Sequence, residues 1–413
     1  MLFNSLEFLL FLPLVFTLYW LVNQKALALQ NALLLGASYY FYACWDWRFL
    51  FLLLFSTVLD YTAGLQMQRA TTERYRTFWF WLTVCVNIGF LGVFKYYNFF
   101  AESFASLLVQ FGFEVHMRTL AVILPVGISF YTFHGLSYVI DIYKRRIPAE
   151  SHFVSYALFV SYFPLLVAGP IERATHLLPQ IKKKRVFKMS QALQGVKQIV
   201  WGLFKKVVIA DHCAFFVDQL FSQSATLSAP ELWMGSILFA FQIYGDFSGY
   251  SDIALGTSKL FGIDLLRNFN FPYFAKDIAD FWRRWHISLS TWFRDYLYIP
   301  LGGSRVSKWL SIRNTFVIFL VSGFWHGANW TFIIWGLIHA LLFLPLLLTQ
   351  TNRNSVLTPG YTWRDIHKVA FTFLMVCMAW IFFRADTVTD AFHYIVGLFD
   401  WHSPSLAFFT KSA

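Results

Sequence analysis

An all-α, polytopic integral membrane helical bundle is the fold class this chain predicts, and three observations carry the prediction. Hydrophobic residues make up 58% of the 413 and charged residues only 13%, against about 25% charged in ordinary soluble domains. Apolar runs near the ~20 residues that a spanning helix needs recur along the length. The basic residues sit in short connections between these runs, where they set orientation and meet anionic lipid. The net charge of +11 is therefore a membrane signature and gives no reason to expect a nucleic-acid partner. Aromatic residues reach 21%, with 49 Phe, enough that many must face lipid or fill gaps between helices. The whole chain, 1–413, reads as one membrane domain of about ten spans, without repeats or linkers.

The N-terminus has no basic stretch ahead of its apolar run, so it is expected to span and not to be cleaved. Four spans are expected in the first hundred residues, at 2–23, 26–45, 48–66 and 77–98. The loop 67–76 carries Arg69, Arg74 and Arg76, and Lys25 lies in the first connection. The positive-inside rule places that loop inside and Met1 outside. A fifth run, 119–143, contains Pro125 and Gly127 and ends at Lys144-Arg145-Arg146. A sixth, 152–169, holds Pro164 and is followed by Lys182, Lys183, Lys184, Arg185 and Lys188. One full span between two basic clusters would put one of them outside. A broken or re-entrant run at 119–143 or 152–169 resolves the conflict, and such backbone is tolerated only inside protein or beside a cavity.

Residues 191–222 read as a helix with Lys197, Lys205 and Lys206 along it, suited to the interface. The run 231–262 is interrupted by the polar stretch 244–252. The run 276–299 has no Pro or Gly until Pro300, Gly302 and Gly303 stop it. Further spans are expected at 311–326, 329–349 and 367–384, then an amphipathic stretch at 388–400.

Zinc, P-loop, dinucleotide and serine-elbow motifs are missing. Cys44, Cys85, Cys213 and Cys377 form no Cys-x-x-Cys pair and read as small buried hydrophobes. Asp211-His212-Cys213 lacks the second His of a palmitoyl-transferase motif. What remains is titratable residues in apolar context. His326 lies in Ser322-Gly323-Phe324-Trp325-His326-Gly327-Ala328-Asn329-Trp330, between two apolar runs. An ionisable residue at membrane depth is a functional-site candidate. His286 lies in Phe281-Trp282-Arg283-Arg284-Trp285-His286, where one helix would gather Trp282, Trp285 and His286 on one side. That pattern also fits a packing stripe with a hydrogen-bonded His. The forks of Arg283 and Arg284 suit phosphate. His339 is thirteen residues beyond His326 (339 − 326), roughly 220° around a helix at about 100° per residue. Unless the Gly327 region breaks that helix, His339 is a packed histidine apart from the reacting group. Asp60, Asp246 and Asp252 each could orient a His, pair with an Arg, or do neither, and Glu172 with Arg173 could form a pair at a turn.

In combination and in order, the motifs resemble the membrane-bound O-acyltransferase superfamily, in particular its bacterial branch containing the alginate O-acetyltransferase membrane subunit. They are Ala168-Gly169-Pro170-Ile171-Glu172-Arg173, the stretch 244–252, 281–290 with Phe293-Arg294-Asp295-Tyr296, Gly302-Gly303, and 323–330 through Gly336-Leu337-Ile338-His339. The resemblance runs from Met1 to about Arg384. It implies a helical bundle pierced by a central tunnel, with re-entrant and interfacial helices. It implies His326 as the catalytic base and His286 as the second signature position, there to hold the acyl carbonyl or its oxyanion. Arg283, Arg284, Asp246 and Trp325 become the expected substrate or cofactor contacts. No permanently bound cofactor or metal is implied. Acetyl-CoA is the expected donor, an extracytoplasmic acetyltransferase subunit the expected partner, and the bacterial inner membrane the expected location. Related readings are D-alanylation, and peptidoglycan or cellulose acylation. A histidine-relay transporter and a non-catalytic scaffold are the alternatives of another class. Chains of this branch commonly continue into further helices, so this one is expected to be short at its C-terminal end.

Overall fold

The computed structural model describes residues 1–22, 26–113, 119–120, 123–353 and 360–401, and every described element is helical. Lys25 and the end of the chain lie outside the described residues. Four helical stretches are long and apolar enough to cross a membrane: Leu27–Arg69, Glu73–Gln110, Trp330–Leu348 and Trp363–Arg384. The protein is thus membrane-integral. The chain divides into two compact units, one of Met1–Trp201 with Tyr250–Leu266, the other of Gly202–Gly249 with Arg267–Ala413.

In the first unit, α1 is Leu6–Leu21, capped by the Ser5 side chain. The expected spans 26–45 and 48–66 are the two helical arms of α2 (Leu27–Arg69), which meet at Asp46, where the backbone leaves helical geometry. The Asp46 carboxylate there takes hydrogen bonds from the Arg48 side chain and backbone N–H. α3 (Glu73–Leu91) continues through a π turn into α4 (Tyr97–Gln110), well past the expected end at 98. A polar seam joins α2 to α3. The Asp60 carboxylate accepts from Thr83 and from Asn87, the latter at 2.7 Å, and Ser56 donates to Asn87. The seam takes up Asp60 Oδ1; Oδ2 is buried and has no hydrogen-bond partner among the described residues.

The fifth and sixth runs are both interrupted. α5 starts only at Ile128 and ends at Tyr143. At about 1.5 Å per residue its 16 residues reach about 24 Å, short of a ~30 Å hydrocarbon core. Gly127 sets that start: its φ is +74°, and a Cβ there would run into the carbonyl oxygen of Leu166. The sixth run splits into α6 (Phe153–Ser161) and α7 (Phe163–Leu166) at Tyr162. α8 (Ala174–Lys182) follows. The buried Glu172 carboxylate holds His176 Nδ1 at 2.8 Å and accepts the Leu266 N–H at 2.6 Å. Asp252 accepts from Gln198 at 2.8 Å.

The run 191–222 is α9 (Met189–Leu203), a π turn, and α10 (Asp211–Ser222); 231–262 is one long helix, α11 (Ala229–Leu260). The second unit continues with α12 (Ile278–Arg284), α13 (Ile287–Phe293), α14 (Lys308–His326), α15 (Trp330–Leu348), α16 (Ile366–Arg384) and α17 (Val388–Gly397). Its core gathers Phe281, Trp285, Trp335, Trp380 and their neighbours. α14 and α15 cross closely because glycine faces backbone on both sides. A Cβ on Gly323 would strike the Phe332 carbonyl, and one on Gly336 the Phe319 carbonyl.

Cys377 is buried as expected, but Cys44 and Cys85 are exposed. Both lie on spanning helices, where an apolar side chain needs no protein cover.

Candidate functional site

The helix expected across 276–299 is broken at the candidate residue. α12 ends at Arg284, and His286 sits in the left-handed region at φ +42°, before α13 begins. Trp282, Trp285 and His286 therefore do not share one helical face. No Pro or Gly marks the break; a facing segment replaces the missing helical bonds. The Ile287 N–H donates to the Asn268 carbonyl, and the Asn270 N–H donates to the Arg284 carbonyl, both at 2.9 Å. A non-glycine residue held at positive φ is a local cost of about 1–3 kcal/mol that surrounding structure must enforce, and such residues cluster at functional sites.

The His286 ring is buried, edge-on to Phe247 at 4.6 Å, with Nδ1 3.0 Å from Asn268 Oδ1. Its Nε2 is buried and has no hydrogen-bond partner among the described residues. Trp325 lies 6.0 Å from His286, centroid to centroid, and 4.8 Å from His326. The two imidazoles thus both lie against one indole. His326 is the last residue of α14 and only partly buried; Trp335 at 5.1 Å and Phe383 at 5.3 Å also pack against it.

His339 is nearer than the helical angle implied. α14 stops at His326, Gly327 is extended, and α15 starts at Trp330 under an Asn329 cap. The chain reverses, so thirteen residues no longer map onto one cylinder. Trp335 touches His326 on one side and His339, at 4.8 Å, on the other. His286, Trp325, His326, Trp335 and His339 form an alternating file of imidazoles and indoles. His339 is buried and its Nδ1 accepts from Trp282 Nε1 at 3.3 Å, while Nε2 has no partner among the described residues.

The other candidates stand outside that file. Arg284 Nε donates to Asp280 at 2.9 Å, and Arg283 donates to the Asn352 carbonyl at 2.9 Å. Asp246 pairs with Lys206 at 2.6 Å, and Lys206 also holds Asp211 at 2.7 Å. Its neighbour Phe247 makes the contact with His286. A cavity of about 230 Å3 in the same unit is lined by Trp282, Ser290, Phe293, Phe319 and Ser322, with Arg294 and Arg353 also on its wall. Ser322 is one helical turn before His326 on α14, which aligns the two on one face. No group of three or more His, Cys, Asp or Glu suited to a metal occurs among the described residues. Asn268 and Trp335 were missed in the sequence. An Asn between Arg267 and Phe269 carries no motif, and Trp335 looks like any lipid-facing aromatic until its partners are known.

A helical membrane protein with accessible and buried imidazoles gathered in an aromatic interior is equipped for proton-transfer chemistry at membrane depth. Comparison with known proteins makes the class specific. The model of the membrane-bound O-acyltransferase family matches residues 143–385. The peptidoglycan O-acetyltransferase of Helicobacter pylori is 38% identical over 100% of this chain and 82% of its own length. The protein named "Probable alginate O-acetylase AlgI" of Pseudomonas aeruginosa is 42% identical over 97% of this chain and 75% of its own. The teichoic acid D-alanyltransferase of Bacillus subtilis is 29% identical over 62% of this chain and 68% of its own. The chain belongs to the membrane-bound O-acyltransferase family and is an O-acyltransferase.

Proposed function

We propose that this protein is the membrane subunit of an exopolysaccharide O-acetylation system in the bacterial inner membrane, taking acetyl from cytoplasmic acetyl-CoA. The observation that carries the reading is the pairing of a partly accessible His326 with a buried His286 across Trp325. In the reaction, the acceptor hydroxyl oxygen attacks the thioester carbonyl and His326 takes the hydroxyl proton. The new C–O bond forms, the C–S bond breaks, and the proton passes from His326 to the departing thiolate, leaving ester and thiol. His286 supplies the second polar contact to the reacting groups. The cavity beside Ser322 suits the donor's acyl-bearing arm, with Arg294 and Arg353 available to its phosphates and Arg283 and Arg284 at the edge of the same unit.

About ten spans around a tunnel, with Met1 outside, would carry acetyl to the outer face, where a partner transferase places it on polymer hydroxyls. The interruptions in α5–α7 favour re-entrant segments over full spans there. Alginate is the polymer favoured by the 42% relative, and peptidoglycan the runner-up favoured by the 38% relative. Purified protein in proteoliposomes, given radiolabelled acetyl-CoA or a D-alanyl carrier protein, is expected to accept only the first. Mass spectrometry of cell-surface polymer from strains with and without the protein then identifies the acceptor. Labelling by the D-alanyl carrier alone would overturn the donor assignment.

A further inference from the structure

We propose that Asn268 is a positioning residue that fixes the proton of neutral His286 on Nδ1 and so presents its Nε2 lone pair to the reacting groups. The proposal rests on the assignment of His286 to the site made above. It starts from a donor that cannot be anything else. The backbone N–H of Ser288 points at the Asn268 side chain at 3.4 Å, so the atom facing it is the amide oxygen and not the NH2. The Ser288 hydroxyl donates to the same oxygen at 2.9 Å. That oxygen only accepts, so His286 Nδ1, 3.0 Å away, must be the donor. A neutral imidazole with its proton on Nδ1 is bare at Nε2. All three residues are at most 1% exposed, so water does not compete for these bonds.

The same Asn also holds the ring in place through its backbone. Its carbonyl takes the Ile287 N–H, and two residues on the Asn270 N–H closes on Arg284. These bonds span the break between α12 and α13 and keep His286 in its left-handed conformation. His339 is wired the opposite way. Its Nδ1 accepts from the Trp282 indole, so in the neutral ring the proton is on Nε2. The two buried imidazoles therefore enter the file as unlike partners, one an acceptor and the other a donor.

The consequence concerns what His286 can do. As a neutral acceptor at Nε2 it cannot donate to an oxyanion, which the resemblance alone had implied. It can receive a hydrogen bond from a second hydroxyl or an amide N–H of the bound substrates, and so orient them, while the one proton of the attacking hydroxyl stays free to face His326. The proton itself still leaves through His326 to sulfur, and the balance of the reaction is unchanged.

The tautomer is read directly by nitrogen-15 spectra of histidine-labelled full-length protein in lipid nanodiscs, with the His286 signals assigned by their loss in His286→Gln. At neutral pH Nδ1 should be pyrrole-type and Nε2 pyridine-type. Asn268→Asp keeps the shape and puts a carboxylate on the Nδ1 proton. It favours imidazolium, and the acid limb of the pH–rate profile with radiolabelled acetyl-CoA should move up by about one to three units. Asn268→Ala should mix the two tautomers and lower kcat with KM for acetyl-CoA held. A protonated Nε2 on neutral wild-type His286 overturns the proposal, as does an Asn268→Asp profile that superposes on wild type. Failure of the wild-type protein to transfer acetyl would instead count against the donor assignment, and the nitrogen shifts would still decide the tautomer.

Discussion

Replacing Gly323 with Ala tests whether the close crossing of α14 and α15 is what places His326. The added methyl points at the Phe332 carbonyl oxygen, a backbone atom that cannot rotate away, so the helices must part. Overpacking of this kind costs about 1–3 kcal/mol. Against it stands about 1 kcal/mol of helix propensity gained by any Gly→Ala change in a helix interior. Gly89→Ala supplies the control, because nothing lies within 4 Å of a Cβ at that helical position. The propensity gain cancels in the comparison, leaving a gap of about 1–3 kcal/mol between the variants. For a unit of about 150–250 residues that is about 2–12 °C in Tm. Activity should respond more strongly. His326 is three residues beyond Gly323 on the same helix, and a displacement of about 1 Å in a catalytic group can cost about 10²-fold. The assays are thermal unfolding in detergent and acetyl transfer in proteoliposomes. If the Gly323→Ala and Gly89→Ala proteins match in both, the crossing does not position the histidine.

Other outcomes follow from the same geometry. The Glu172 carboxylate, by its hydrogen bond, raises the His176 pKa above its ordinary value. The associated stability should be present in full below about pH 6.5 and lost as pH rises through the raised value; Glu172→Gln should abolish that dependence, read as Tm against pH. Thr72→Cys in a cysteine-free background should stay unlabelled by an impermeant maleimide applied to intact cells, since the 67–76 loop is proposed to be cytoplasmic; labelling from outside would reverse the orientation. His339→Ala should lower transfer through the loss of the Trp282 bond and the packing on Trp335, without removing proton abstraction; a pH profile changed in shape would show that His339 itself titrates in the reaction.

Much of the fold was legible because a bilayer requires long apolar helices, and composition reports that directly. The expected boundary between 26–45 and 48–66 falls at Asp46, where the backbone leaves helical geometry and two helical arms meet. A break in either 119–143 or 152–169 was foreseen from charge, because two basic clusters could not both be inside across one full span; both runs are interrupted. The break at His286 was not foreseen. Helix stops are read from Pro and Gly, and here the break depends on Asn268, which is 18 residues away in sequence. The angular argument about His339 held only for an unbroken helix, and the exception it allowed, a break at the Gly327 region, is what the structure has, since α14 turns back into α15 there. Which imidazoles meet is a tertiary fact, and only the resemblance brought His286 and His326 together before the structure did.

The central claim is that His326 removes the acceptor proton, and His326→Gln measures it most directly. Glutamine keeps much of the shape and some hydrogen bonding but cannot take the proton. A positioned general base supplies about 10²–10⁴ in rate, so polymer acetylation should fall below detection while the protein still inserts at normal levels. His286→Ala should leave residual turnover if it only orients the bound substrates. Normal acetylation by the His326→Gln protein would exclude proton abstraction at this position.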